Sequence, residues 1–534
     1  MNVLTRRGLS ATLLCLLAAC GGGGGGGDSP PSAASPTPPT EPLPAEAQVD
    51  CSGSACGALP GGVYAGHGVA SWRYDNADTA PRTINVQLSN VGGRTATLAL
   101  SNPGAAPMAL TAQAIVASRL PDTDADSGHI ARFNHNGFLP YMNAVALRAS
   151  RTAQAVPAQI GSSRSWIHED ESERVATLVR QIEAQDGRTV NLWLENSETG
   201  PAQMNPTLLD RLALRVAGQA DSAYELVTGL AGPIWGGHAV SGLILANQPL
   251  DVVLLNFDHN ARPWGLLGYF WSRNALTRSA HARSNEALAV FLDTETLYLG
   301  GTGALDTMLS TLAHELSHAA NFHRRGVQRY QAGGDGSATF ETWLEEMSAM
   351  MAEDLLAARL TPGFNAVRDI RVRDWLTTGA FNCDFTRYDA TAGSACNSYS
   401  VGGSLGAYLL RHYGVAFYRD LLASAQVGND VALLDAQLQA HGGSLDTALR
   451  QWPLSVADLP ADSPAGMGLP ARDDAGYALP AIAVSQLGAP RLTTTPPATL
   501  APYGALLWQR RTLSATHNEV VMLPPGARLT VVVR

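Results

Sequence analysis

His314, Glu315 and His318 are the residues of this chain whose types and spacing most directly imply chemistry. Four residues apart on a helix, two histidines stack on one face and can reach the same cation. Glu315 stands beside the first, where a carboxylate can take a proton from water at that cation. A hydrolytic zinc site uses three protein ligands and keeps a fourth position open, whereas a structural site takes a fourth protein ligand, and none is evident in the neighbouring sequence.

The third ligand is not the histidine that metzincins place ten positions after the first, with a glycine at the seventh. Those positions hold Arg324 and Asn321, and His323 is one residue early and faces away from the pair, as a surface residue would. The other common source is a glutamate on a following helix. Residues 340–360 supply Glu341, Glu345, Glu346, Glu353 and Asp354, and the Gly-rich stretch Gly333 to Gly336 leaves a loop for that helix to fold back. Adjacent helical positions point about 100° apart, so only one of Glu345 and Glu346 can face the histidines. Glu353 shares a face with Glu346 and reads either as a carboxylate that orients a ligand histidine or as a solvated helix charge.

The elements that must hold these groups follow from periodicity. Leu305, Leu309, Leu312 and Leu316 form the apolar stripe of an amphipathic helix, with the histidines about half a turn from it. Gly326 reads as its terminator, and Arg324 and Arg325 complement the negative end of its dipole. Upstream, alternation at Val190, Leu192 and Leu194 predicts a half-buried strand, and Leu208 to Val216 a helix. The apolar runs Val252 to Leu255 and Ala289 to Leu292 predict strands covered on both faces. Residues 156–461 therefore read as an α+β domain, a mixed sheet with a mainly helical lower half. Small β-rich domains flank it. In 57–155, Ile84, Val86, Leu88 and Ala96, Leu98, Leu100 surround a turn at Asn90 to Gly93 as in a hairpin, and 462–534 carries β-like runs at Ala505 to Gln509, Val520 to Leu523 and Leu529 to Val533.

The run His314-Glu315-Leu316-Ser317-His318-Ala319-Ala320-Asn321-Phe322, followed by Trp343-Leu344-Glu345-Glu346-Met347-Ser348, resembles the hyicolysin-type neutral zinc metalloproteases within the gluzincins. That resemblance implies one zinc ion held by His314, His318 and Glu346, with Glu315 as general base. Ser284-Asn285-Glu286 and Leu292-Asp293-Thr294 look like the family's strand ahead of the active-site helix, and the likeness extends over about residues 185–455. Glu345 and Met347 depart from it, standing where the family has Asn and Gly. Such enzymes also need a donor for the oxyanion that forms on the substrate carbonyl. Tyr399, ahead of the helical run Leu405 to Tyr413, is the candidate, its alternative being a structural tyrosine at a helix start; His412 and Tyr413 are packed or surface residues of that helix. The activity implied is hydrolysis of peptide bonds in protein or peptide substrates. The alternative is a catalytically inactive metallopeptidase-like surface protein for binding or adhesion, which would require neither Glu315 nor the full ligand set.

The start of the chain reads as an export signal over residues 1–19: Arg6 and Arg7, an apolar run from Leu9 to Leu17, then small residues before Cys20. Leu17-Ala18-Ala19-Cys20 resembles the bacterial lipobox, which implies lipidation at Cys20; the alternative is an ordinary secretory signal. The paired arginines also hint at twin-arginine export. Residues 20–56, with Gly21 to Gly27 and a Pro/Ser/Thr-rich stretch, form a tether. The expected location is the outer membrane or cell surface, with membrane contact through the lipid alone. Cys15 leaves with the signal, and Cys51, Cys56, Cys383 and Cys396 form two local pairs. An even remainder in an exported chain suggests two disulfides, and the absence of CxxC spacing or a close histidine argues against cysteine-held metal. A net charge of −10 without a basic run excludes nucleic acid as a partner.

Overall fold

The computed structural model describes residues 64, 66, 68–110, 128–143, 158–334, 339–391, 393–460, 463, 466–492 and 494–534, with the backbone of short strands at Gln48–Cys51, Ala58–Leu59 and Val63–Tyr64. The expected signal, Cys20, most of the tether and the Cys51–Cys56 pairing lie outside the described residues.

The apolar runs of the middle segment become the centre of a six-stranded sheet. Its strands are β1 (Ser163–Ile167), β2 (Glu173–Glu183), β3 (Thr189–Glu195), β4 (Leu250–Leu255), β5 (Gly268–Phe270) and β6 (Leu288–Asp293), in the order β5-β6-β4-β3-β2-β1. β3, β4 and β6 are mutually parallel; β5 adds antiparallel to β6 and ends the sheet on that side. Side chains alternate across the pleat, so Leu192, Val252 and Val290 share a face with the helices, while Trp193, Val253 and Phe291 face a second core with Trp166, Phe257, Tyr269 and Trp271. β3 is thus buried on both faces rather than half-buried, because β1 and the 257–271 segment bring aromatic rings to the side expected to meet water.

On the first face lie α1 (Pro206–Val216), α2 (Ala223–Ala231), α3 (Ala304–Asn321), α4 (Thr342–Leu360) and α5 (Ser398–Ala423). This is the expected α+β class, a mixed sheet over a mainly helical lower half. The leucine stripe of α3 is buried in the main core. Gly326 does not stop the helix. The chain runs on through π-helical turns over Phe322–Gln328, and Gly326 serves packing instead: a Cβ there would lie 3.0 Å from Phe322 Cδ2 and 3.3 Å from Phe138 Cζ. His323 is buried, not at the surface, because the same turns rotate it against Trp235.

The two β-rich segments are interleaved. Ala70–Asp75 and Ala96–Ser101 pair with Arg528–Val533 lying between them, and Ala505–Arg510 adds beyond Ala96–Ser101. Arg82–Ser89 pairs with Thr516–Leu523. The hairpin expected across Asn90 to Gly93 is not formed: its two arms belong to different sheets, each taking a partner from the C-terminal segment. Alternation specifies which face of a strand is buried, not which strand lies beside it. Residues 128–143 are helical, and Phe138 and Met142 are buried in the main core rather than in a β domain. Cys383 and Cys396 are joined in a disulfide. No helix among the described residues is long and apolar enough to cross a membrane.

Two histidines are buried neutral within this framework. Burial holds His168 and His323 down at about 4; the first packs on Phe257 with Nδ1 3.0 Å from the Tyr269 hydroxyl, and the second keeps Nε2 buried without a hydrogen-bond partner. A histidine depressed in the folded state adds stability that is present above its unfolded pKa and lost as pH falls toward the folded value. Between pH 6.5 and about 4 each should therefore remove on the order of 3 kcal/mol. We expect His323→Phe to show a correspondingly shallower acid decline than the parent in urea unfolding followed across that range.

Candidate metal centre

α3 and α4 pack side by side and turn the predicted residues toward each other. His314, His318 and Glu346 are all more than nine-tenths buried, and among the described residues they are the one cluster of His, Cys, Asp or Glu side chains close enough to hold a metal. Glu346 Oε2 lies 3.1 Å from His314 Nε2 and 3.8 Å from His318 Nε2. The choice between the adjacent glutamates resolves by helix geometry: Glu346 faces both Nε2 atoms, and Glu345 faces the back of His318.

Each imidazole is held from behind. His314 Nδ1 donates to Glu353 Oε1 at 2.7 Å, and Glu353 Oε2 accepts the Ser310 hydroxyl at 2.7 Å. His318 Nδ1 donates to Glu345 Oε1 at 2.9 Å; the same oxygen accepts Asn321 Nδ2 at 3.1 Å, which also donates to Ser348 Oγ at 3.1 Å. Glu353 is thus no solvated charge, being buried against a ligand-facing histidine. The sequence weighs Glu345 only against Glu346 as the third ligand; its role behind the His318 ring, 27 residues after that histidine, emerges from the fold.

This donor set fits zinc. With Nδ1–H committed to a carboxylate, each neutral ring keeps its lone pair on Nε2, and both Nε2 atoms converge on one glutamate oxygen. Donors roughly 2.0–2.1 Å from a tetrahedral ion stand roughly 3.3 Å apart, and the observed 3.1 Å and 3.8 Å bracket that spacing. Burial opposes a charge on His314, but hydrogen bonds to Glu346 and Glu353 outweigh it and push its pKa well up. Burial likewise opposes ionisation of Glu346, yet the facing His318 and His314 bring it below the usual carboxylate value. The site favours a positive charge between these groups, and a cation can take the place of the Nε2 proton.

Glu315 points to the same cavity of about 340 Å³, with Oε2 accepting the Phe270 N–H at 2.7 Å. Burial raises its pKa, partly offset by His314 and His318, which strengthens it as a base. Tyr399, at the start of α5, lines the same cavity as Glu346, whose carboxylate it helps hold down, and its ring centroid is 6.4 Å from that of His314. Tyr388, which sequence reading passed over, brings its hydroxyl within 3.4 Å of Tyr399's. It lies in the loop closed by the expected Cys383–Cys396 disulfide, and its place at the cavity emerges only when that loop folds against it. Burial raises both tyrosines, so they remain donors across the working pH range. His412 and Tyr413 lie away from the cavity, His412 facing the Gly468 carbonyl.

The sequence matches the peptidase M30 family over residues 170–534. The chain belongs to that family. Residues 50–115 match a family described only as a domain of unknown function (DUF8571). No curated protein matches the chain. Among solved structures it is similar to a two-domain M1 zinc metallopeptidase variant bound to L-arginine, at 15% identity and a TM-score of 0.28, over 55% of this chain and 53% of that one. It is also similar to an M1 zinc metallopeptidase from Deinococcus radiodurans, at 13% identity and a TM-score of 0.29, over 71% of this chain and 64% of that one. This M30 chain spans about half the length of the first of these structures.

Glycine at 268 is what lets β5 sit close enough for Phe270 to reach Glu315. A Cβ at that position would lie 2.8 Å from the Phe291 carbonyl oxygen and 2.9 Å from Leu292 Cδ2 and Thr311 Cγ2. Gly268→Ala should therefore displace the edge strand and lower stability by about 1–3 kcal/mol, read as a fall in melting temperature. An unchanged melt would mean that β5 yields without disturbing β6 or α3.

Proposed function

We propose that this M30 chain is a zinc-dependent endopeptidase of the hyicolysin type, lipidated at Cys20 and held at the outer membrane or cell surface, acting on protein or peptide substrates. The observation that carries the catalytic part is the convergence of His314, His318 and Glu346 beside a glutamate, Glu315, that is not consumed in holding them. Anchoring is supported by the lipobox-like Leu17-Ala18-Ala19-Cys20 and the glycine-rich run after it.

One zinc ion, held by His314, His318 and Glu346, would supply Lewis-acid polarisation of the scissile carbonyl and of the attacking water. Glu315 takes the proton from that water as its oxygen attacks the carbonyl carbon. The same carboxyl then delivers the proton to the leaving amine as the C–N bond breaks. Tyr399 and Tyr388 are the hydroxyl donors available at the cavity for the carbonyl oxygen as it gains negative charge. Glu353 and Glu345 hold the two imidazoles in one tautomer and one orientation. A binding or adhesive role would use none of this arrangement, and Glu315 in particular has no structural duty beyond one backbone amide.

The test combines metal analysis with hydrolysis of short fluorogenic peptides. Glu315→Gln should retain stoichiometric zinc and lose about 10²–10⁴ in kcat/KM; undiminished turnover would remove Glu315 from the mechanism. Glu353→Gln should keep the fold while weakening zinc affinity about 10–100-fold, measured by chelator competition. A parent protein that takes up no zinc would end the proposal.

A further inference from the structure

We infer that residues 128–143 form a fixed strap across the active-site cleft, that Asn134 on this strap ends the edge available for substrate pairing, and that the enzyme therefore takes short peptides in preference to long chains. The inference rests on the peptidase reading and narrows its substrate class.

An extended peptide is recognised by an unpaired sheet edge through main-chain hydrogen bonds. Strand β5 is such an edge and borders the metal cluster. Its outward groups are not all free. Phe270 N–H donates to Glu315, while the Asn134 side chain donates Nδ2–H to the Phe270 carbonyl at 2.8 Å and accepts the Ser272 N–H on Oδ1 at 2.8 Å. One amide thus brackets Trp271 as the peptide group of a parallel neighbour would. A substrate strand cannot use those two groups while Asn134 holds them.

The next residue is tied to the other wall. His135 Nδ1 lies 2.7 Å from the Phe340 carbonyl oxygen, and the His135 carbonyl accepts the Thr339 hydroxyl, just ahead of the helix that carries Glu346. Consecutive residues therefore connect the edge strand to the entrance of α4. The connection is anchored in the core, because Phe138 is fully buried against Phe322 at 4.9 Å and Gly326 leaves it room. Ile130, Asn134 and His135 line the same cavity as His314, Glu315 and Glu346. Its volume of about 340 Å³ is that of a small-molecule pocket, about 300–1,000 Å³.

The experiment uses the full zinc-loaded chain and nested quenched fluorogenic peptides that share one scissile sequence, of about 6, 12 and 24 residues. In parallel, Kd is measured for the same peptides, end-labelled, on zinc-loaded Glu315→Gln. The expected result is kcat/KM at least about tenfold higher, and Kd correspondingly lower, for the shortest peptide than for the longest, roughly the worth of one lost hydrogen bond. Asn134→Gly, alone and with His135→Ala, should shrink that ratio toward unity by releasing the Phe270 carbonyl and Ser272 N–H. Equal values across all lengths in the parent, or an unaltered ratio in both variants, would overturn the strap. Length-dependent binding without any hydrolysis would uphold the strap and count against the peptidase reading instead.

Discussion

The contact between Glu346 and the two imidazoles is the constraint that the surrounding architecture serves. It joins two helices through groups that are each costly to bury alone, and it is affordable only because each imidazole is fixed from a second side. Besides Glu346, the carboxylates of Glu315, Glu345 and Glu353 lie within or against the same small volume. Two neutral imidazoles offer them hydrogen bonds but no charge, and unpaired buried anions are strongly unfavourable. A divalent cation at the Nε2 atoms would supply that positive charge, at the place where Glu346 and Glu353 also raise the His314 pKa.

Holding that cluster requires a rigid helix pair, and the sheet provides the backing. The parallel strands β3, β4 and β6 are covered on both faces, so the helices that carry the site rest on a core with a second core behind it. The short edge strand β5 then does two things at once. It is close enough to α3 for Phe270 to hold Glu315, and it presents its remaining edge to the cleft. Glu315 and the sheet edge are registered to each other by one backbone amide, which is a tighter coupling than two separate elements packed through side chains would give.

What could be read from the sequence follows the range of the interactions involved. His314, Glu315 and His318 are set by one helical repeat and were legible at once, as were the apolar runs of β4 and β6. Glu346 required spacing and a family resemblance, since the helix that carries it had to be folded back before Glu345 and Glu346 could be told apart. Tyr388, Asn134 and the Phe270 amide left no local signal, because each acts through a neighbour more than ten residues away. The misread hairpin has the same origin. Ile84, Val86 and Leu88 do alternate with polar residues, yet their partners are Val521, Glu519 and His517, contributed from the far end of the chain.

The strap is kept in place by its own side chains. Phe138 and Met142 seat residues 128–143 in the main core, and His135 ties them to Thr339 and Phe340. A segment so seated competes with an incoming chain at a high effective concentration, and loses only where substrate gains more contacts than it displaces. The ion pair of buried Arg450 with Asp75, at 2.6 Å, links the β-module to the helical half. The cavity beside His314, His318 and Glu346 is therefore shaped by the strap segment as well as by the two helices that carry the cluster.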